Sequence, residues 1–308
     1  MNKVNHHLAA TVALMVGSIY GVNSIFVKIA HNKGISTFDL IIYQFAFAIL
    51  WFGGKNLISR NKMNISFETY KSIFTNPYNW LAGITTVLTG LLYYFSIQLT
   101  DPSIASLGLF QYPWILLVIG AVINKEEIIL KNVTAVFFIW LGTLLLIGGS
   151  IENMNISGAV YGFGAGASFA AYLFSLQKIS KHPFTKTFII IIAALLSAIF
   201  SVTNMDNITL FTKDAFFYGL MVAVLGQILT FELMSYAAKR ISSMLLGTFS
   251  TTELPVAMIL SWIIWGPSPN LRKIMGLVLM VFSILWLKYE QTKTTPNYCS
   301  NNSLKQES

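Results

Sequence analysis

Ten apolar runs, separated by short polar intervals, divide the chain. They lie at about 8–30, 38–53, 79–99, 103–123, 132–148, 157–177, 184–203, 215–238, 242–265 and 271–287. About 20 apolar residues, rising ~1.5 Å each, carry a helix across the hydrocarbon core of a bilayer. The runs lack the strict alternation of membrane β-strands, so each predicts a spanning helix. The first begins just after His7. It is too long for the apolar core of a cleaved leader and is read as a span. Residues 54–78 are expected to form the one sizeable loop. The polar tail 289–308 is expected to be disordered. Gly53-Gly54 and Gly148-Gly149 are expected at helix ends.

Composition agrees with that pattern. Of 308 residues, 55% are hydrophobic and only 10% are charged, with a mean hydropathy of +0.65. Soluble domains carry about 25% charged residues. This composition excludes a soluble secreted enzyme, a nucleic-acid module and a disordered chain. The net charge of +8 is explained by where the cations fall. With the N-terminus inside, the inner segments hold fifteen: Lys3, Lys55, Arg60, Lys62, Lys71, Lys125, Lys131, Lys178, Lys181, Lys186, Lys239, Arg240, Lys288, Lys293 and Lys305. The outer segments hold four, Lys33, Lys213, Arg272 and Lys273, and Lys28 lies within the first span. Excess Lys and Arg marks cytoplasmic loops, so both termini are expected in the cytoplasm of a cell-membrane protein. The single cysteine, Cys299, lies in the tail, and His6, His7, His31 and His182 lie outside the apolar runs. No cofactor and no metal are expected. No phosphate-binding loop of the Walker type is present, so nucleotide-driven transport by this chain alone is excluded.

A repeat emerges on shifting the chain against itself. With a shift of 149, Ala9, Ala13, Gly17 and Gly21 fall on Gly158, Gly162, Gly166 and Ala170. Small residues at every fourth position form one helix face on which a second helix can pack closely in lipid. With a shift of 142, Tyr94, Gln111 and Pro113 fall on Tyr236, Glu253 and Pro255. Each unit then holds five helices, an odd number, so the second is inverted in the membrane. The turns agree: Thr100-Asp101-Pro102 is acidic and its counterpart, Lys239-Arg240-Ile241, is basic. The expected fold is an all-α membrane protein of ten transmembrane helices in two inverted five-helix repeats, 8–148 and 157–288. That architecture belongs to secondary transporters.

Several stretches resemble the EamA-type transporters of the drug/metabolite transporter superfamily, over about residues 8–288. They are Tyr20-Gly21-Val22-Asn23-Ser24 followed by Lys28, Ile104-Ala105-Ser106 leading to Pro113, Glu126 at the end of the fourth span, Glu253-Leu254-Pro255-Val256, and Gly276. The chain departs from the family where an Arg of the second helix is replaced by Gln44, or by Tyr43 one residue along. It departs again at Gly266-Pro267-Ser268, which lacks an acid that many relatives carry. The resemblance implies transport, mostly export, of amino acids, metabolites or toxic compounds. It implies a central cavity lined by helices 1–4 and 6–9. It also places helices 5 and 10 at the periphery, at a homodimer contact.

Ionisable residues within a bilayer face a cavity or a partner and are functional candidates. Glu253 lies at the middle of the ninth span, two residues before Pro255, which frees the carbonyl of Thr251 and breaks the helix. Gln111 is its counterpart, and together they are candidates for substrate contact or proton coupling. The competing reading makes Glu253 a hydrogen-bonded brace between helices. Glu232 would suit a cationic or zwitterionic solute, or would pair with Lys239 or Arg240. Lys28 is expected to reach the outer interface, Asp39 to sit wet at a helix mouth, and Glu126 and Glu127 to pair with Lys125 and Lys131. Tyr20, Tyr43, Tyr93, Tyr94, Trp114, Tyr172 and Tyr236 are the aromatic candidates for a cavity lining. The candidate substrate site is therefore Tyr20, Asn23, Gln44, Tyr94, Gln111, Trp114, Tyr172, Gln227, Glu232 and Glu253.

The expected partners are a small-molecule solute and the lipid bilayer, not nucleic acid. An intramembrane enzyme is disfavoured, because no histidine or cysteine lies within a span and Glu232 and Glu253 sit at different depths. A lipid-handling or structural membrane protein is the remaining alternative. Topology is directly measurable: reporter fusions after Asn153 and after Thr212 should report an external location. Cytoplasmic reporter activity at either point would overturn the inverted arrangement.

Overall fold

The computed structural model describes residues 3–59, 66–100, 102–147, 155–202, 212–266 and 270–294. Every regular element among them is helical. In order they are α1 (Lys3–Asn32), α2 (Thr37–Ser59), α3 (Phe67–Thr75), α4 (Pro77–Leu99), α5 (Pro102–Leu109), α6 (Tyr112–Ile123), α7 (Leu130–Ile147), α8 (Ile156–Lys178), α9 (Phe184–Val202), α10 (Lys213–Val222), α11 (Leu229–Ala238), α12 (Ser243–Ser250), α13 (Glu253–Trp265) and α14 (Leu271–Thr294). A π-helical segment, Ala223–Ile228, joins α10 to α11.

Local chemistry sets the boundaries. Asn76, Asn155, Thr212 and Ser242 each accept a hydrogen bond from a backbone N–H of the helix they precede. Such caps stabilise a helix start by about 1 kcal/mol each. Ser36 and Asp39 cap α2 reciprocally: Asp39 accepts from the Ser36 N–H and Ser36 Oγ accepts from the Asp39 N–H. Asp39 is thus fully buried, not wet as expected. Gly266 closes α13 at φ +71°, a left-handed geometry that glycine adopts without a Cβ penalty.

Eight helical segments are long and apolar enough to cross a membrane, and Leu130–Leu146 is a shorter apolar helix. Within the described residues the expected spans fall on helix, with four corrections. Residues 54–78 are not one loop: α2 runs to Ser59, so Gly53-Gly54 lies inside it, and α3 occupies Phe67–Thr75. The span expected at 103–123 is two helices, broken at Phe110-Gln111. Helix α14 continues to Thr294, into the tail expected to be disordered. In the ninth span the Thr251 carbonyl is not left free, since it accepts from the Leu254 N–H. Asp101, Gly148-Gly149, Pro267-Ser268 and the tail beyond Thr294 lie outside the described residues.

The packing follows the small-residue stripes. α1 packs on α12 and α13, while α8 packs on α5 and α6. A Cβ on Gly17 would run into Ser250 and Thr252, and one on Gly21 would meet the Glu253 carbonyl oxygen at 2.7 Å. In the other half, a Cβ on Gly166 would meet the Gly108 and Leu109 carbonyl oxygens at 2.6 and 2.7 Å. Each stripe therefore seats against the break in the other half's split helix. Thr252 Oγ1 adds a hydrogen bond to the Leu14 carbonyl of α1, 2.9 Å. α2 packs on α9, α6 on α12, and α7 on α14, where Gly142 and Gly276 meet backbone to backbone.

A leucine at Gly17 or Gly166 has nowhere to go, because the atoms it meets include backbone. Overpacking costs about 1–3 kcal/mol or more. Gly17→Leu and Gly166→Leu should each lower folded yield in size-exclusion profiles of purified protein. Wild-type yield in both would remove the stripes from the packing account.

Candidate functional site

The two split helices place their breaks in the interior. Helices α5 and α12 each run eight residues, two residues follow, and then α6 and α13 start. Pro113 and Pro255 sit in the first turns of α6 and α13, where a missing N–H costs least. Glu253 is the first residue of α13. Its carboxylate is favoured there by the helix dipole, and it keeps partial exposure. Among the described residues no cation and no hydrogen-bond donor reaches it. Tyr20 of α1, Tyr93 of α4 and Tyr112 of α6 lie within electrostatic reach of its carboxyl.

These three tyrosines come from helices that otherwise stay apart. α8 packs on α11 and α12 of its own half, whereas α1 has no comparable packing on α4, α5 or α6. Glu253 and Tyr20 both keep partial exposure. Phe169 of α8 gathers an aromatic cluster, edge-on to Tyr112 at 4.8 Å and to Tyr20 at 6.2 Å, and stacked with Tyr172 at 6.0 Å. Tyr93 is tied to Ser106 at 2.8 Å, and Tyr20 to Thr230. The Tyr112 hydroxyl is fully buried and has no partner among the described residues.

A second group of candidates gathers on the π-helical segment. Gln44 Nε2 donates to Gln227 Oε1 at 3.2 Å, and Thr230 Oγ1 donates to the Gly226 carbonyl at 2.9 Å. Asn23 lies against the bare Cα of Gly226, with its Oδ1 buried and unpartnered. π-helical turns recur at functional sites because they push backbone and side chains out of the α register.

The remaining candidates fall elsewhere. Gln111 does not pair with Glu253: it donates to the Leu107 carbonyl and accepts from Trp114 Nε1, both at 2.8 Å. Trp114 is 38% exposed and stands on the outer flank beside Phe163. Tyr43 packs against Phe47 and Phe216, and Tyr236 lies under Arg240. Lys28 stands over the Trp265 ring at 4.1 Å. The side chain of Tyr94 lies outside the described residues.

Glu232 pairs with neither Lys239 nor Arg240. Lys55 of α2 reaches Oε1 at 2.8 Å, and Lys186 of α9 reaches Oε2. The carboxylate is therefore a junction holding α2, α9 and α11 together. Nearby, Lys239 has its ammonium pKa pushed down by burial and by Lys186, Lys181 and Arg240. Glu126 also departs from expectation, accepting from Asn124 at 3.1 Å and from Ser243 at 3.3 Å. Ser243 donates to Gln177 Oε1 at 2.8 Å, and Gln177 Nε2 donates to the Ile241 carbonyl at 3.2 Å. This network joins the ends of α6 and α8 to the start of α12. Sequence reading missed it, together with Tyr112 and Phe169. For Tyr112, the available signal was its place directly before Pro113.

The Glu232 junction makes a measurable difference between its two arms. Lys55 is 58% exposed and Lys186 only 23%, and exposed pairs contribute about 0.2–1 kcal/mol. A double-mutant cycle of Glu232→Gln with Lys186→Gln should give a larger coupling than one with Lys55→Gln, read by thermal unfolding. Equal couplings would show that burial does not set the strength of this junction.

Comparison with known proteins follows the geometry. Residues 156–289 match the EamA-like transporter family. A solved structure, described as "Crystal structure of protein", is 13% identical, covers 96% of this chain and 100% of its own length, and has a TM-score of 0.72. That likeness is one of fold alone. No curated protein matches the chain. The chain is a multi-pass membrane protein, and its residues 156–289 are similar to the EamA-like transporter family.

Proposed function

We propose that this protein is a secondary transporter that exports a small metabolite or amino acid-like solute across the cell membrane by alternating access. The observation that carries the reading is the exchanged packing of the two halves. Each half's glycine stripe seats on the break in the other half's split helix. Discontinuous helices meeting at mid-depth between inverted repeats are where such transporters bind cargo and coupling ions. On this reading the repeats are 8–148 and 157–288, and ten helices cross the bilayer. Both termini lie in the cytoplasm, on the side holding the basic cluster of Lys181, Lys186, Lys239 and Arg240.

The same reading assigns a state. The Asn124–Glu126–Gln177–Ser243 network shuts the cytoplasmic end, and the opening between α1 and the α4/α6 pair leads to the other side. Transport then requires this network to part while α1 closes onto α4 and α6. The candidate site of Tyr20, Asn23, Gln44, Tyr172, Gln227 and Glu253 lies between the two gates.

The test uses the full chain in proteoliposomes, with Cys299→Ser removing the sole native thiol. Uptake of labelled metabolites, with and without a pH gradient, should exceed that of protein-free vesicles. Gln177→Cys with Ser243→Cys should abolish that flux on oxidation, and reductant should restore it. Normal flux in the cross-linked protein would sink the gating account. No flux of any solute would sink the transporter reading itself.

A further inference from the structure

We propose that α3 and the turn between α8 and α9 form a surface that binds the headgroup of an anionic phospholipid. The proposal goes beyond the transport reading and does not depend on it.

The first ground is the seat of α3. Only Asn76 separates it from α4, and α4 is a span, so α3 is held at the level where that span enters the bilayer. Phe67, Tyr70 and Phe74, at i, i+3 and i+7, share one helix face, while Glu68, Lys71, Ser72 and Thr75 share another. Phe67 is 80% exposed and Phe74 53%. The remaining side of α3 is fastened to protein. Ile73 is fully buried in a cluster with Phe188 and Ile192 of α9. Tyr70 meets Phe184 at 5.4 Å, and Phe74 meets Phe188 at 4.7 Å. Trp80 Nε1 donates to the Phe74 carbonyl at 2.8 Å. A helix with an exposed aromatic face beside a lysine-bearing polar face lies in the plane of the membrane interface.

The second ground is the charge fixed beside that helix. Asn79 of α4 is fully buried. It donates to the Ile73 carbonyl at 2.8 Å and to Ser180 Oγ at 3.1 Å, and it accepts from the Ser180 N–H at 3.1 Å. Asn76 donates to the Lys178 carbonyl at 3.0 Å and to Ser180 Oγ at 3.2 Å. These bonds clamp the end of α3 to the turn that carries Lys181. Lys186 follows in the first turn of α9, and Lys239 and Arg240 arrive from the end of α11. The Lys239 ammonium pKa is pushed down by burial and then by Lys186, Lys181 and Arg240, as expected of like charges gathered in one place.

Some of these cations are already used. Lys186 holds Glu232, Lys178 stands over Tyr78 and Phe174, and Arg240 lies over Tyr236. Lys71, Lys181 and Lys239 have no ion pair among the described residues. A shared anion relieves their repulsion, and clusters of about four to eight Lys or Arg beside a span recognise anionic headgroups. A soluble anion would meet the lysines and leave the aromatic face bare. An anionic lipid uses both, with its phosphate on the lysines and its chains along the exposed rings. The ammonium of a zwitterionic lipid would be repelled by the same lysines.

The test is a thermal-unfolding titration of the purified full chain in uncharged detergent with three additives: dioleoylphosphatidylglycerol, dioleoylphosphatidylcholine and glycerol 3-phosphate. Phosphatidylglycerol should reach half its stabilising effect at a concentration at least about tenfold lower than phosphatidylcholine. Glycerol 3-phosphate should give no shift at concentrations where that lipid saturates. Lys71→Gln with Lys181→Gln and Lys239→Gln should erase most of the preference, at about fivefold per lysine. Lys213→Gln with Arg272→Gln and Lys273→Gln, the same change of charge elsewhere on the chain, should keep it. Phe67→Ser should weaken phosphatidylglycerol binding several-fold. The wild-type ranking of the additives and the Phe67→Ser variant stand as tests even where the triple lysine variant fails to fold. Equal half-saturation by the two lipids would overturn the proposal, as would an undiminished preference in the triple lysine variant. An equal loss in the control variant would reduce the effect to bulk charge and overturn it too. Stabilisation by glycerol 3-phosphate matching that of the lipid would assign the surface to soluble phosphates instead.

Discussion

A chain that leaves the helix inside a bilayer exposes N–H and C=O groups that lipid cannot satisfy. Among the described residues this happens at Phe110-Gln111 and at Thr251-Thr252, and both breaks are covered by protein. The cover comes from the bare Cα atoms of Gly17, Gly21 and Gly166, which let helix backbones approach closer than any side chain would permit. The rest depends on that contact. It fixes Glu253 at the head of α13 and Tyr112 at the head of α6, and it binds the two halves of the chain to each other.

Two glutamates show how environment separates residues of one type. Glu232 is satisfied by lysines from two other helices and acts as a structural junction. Glu253 has no ion-pair partner among the described residues. A paired carboxylate in a low-dielectric interior stabilises packing only while both partners remain. An unpaired one is a standing cost, retained where a ligand or a proton completes it. The same contrast divides the glutamines: Gln111 is occupied within its own turn and by Trp114, while Gln227 is turned toward Gln44 across the helix interface.

The positions of the long helices were legible because apolar run length is a one-dimensional property. The stripes were legible too, since small residues at every fourth position define a face without reference to what it touches. The break in the fourth span was harder to read. A proline is as comfortable in the first turn of a new helix as it is disruptive inside an old one, so Pro113 alone does not distinguish them. The partners of Glu232 were missed because Lys239 and Arg240 are near in sequence, while Lys55 lies 177 residues away. Asp39 looked wet because its capping exchange with Ser36 is a local geometry that composition does not record. The π-helical segment left no pattern at all, and neither did the Gln177–Ser243 contact, which joins the end of one helix to the start of another.

The resemblance between the halves also makes their differences informative. α1 and α8 occupy matching places: each seats a stripe of small residues on the other half's split helix, and each contacts the other half's long neighbour, α11 for α1 and α4 for α8. The match fails where α8 closes against α11 and α12 while α1 stands off from α4, α5 and α6. On the proposed repeat reading, two copies of one packing unit would satisfy the same contacts equally if both closed together. On that reading one side is shut and the opposite side is open. On the proposed mechanism the two halves exchange these roles, with the glycine contacts at the breaks as the fixed points. A glycine-on-backbone contact suits that part, because it has no side-chain rotamers to repack as the helices tilt. The carboxylate of Glu253 sits beside one such fixed point, where a change of tilt alters the access to it more than its position.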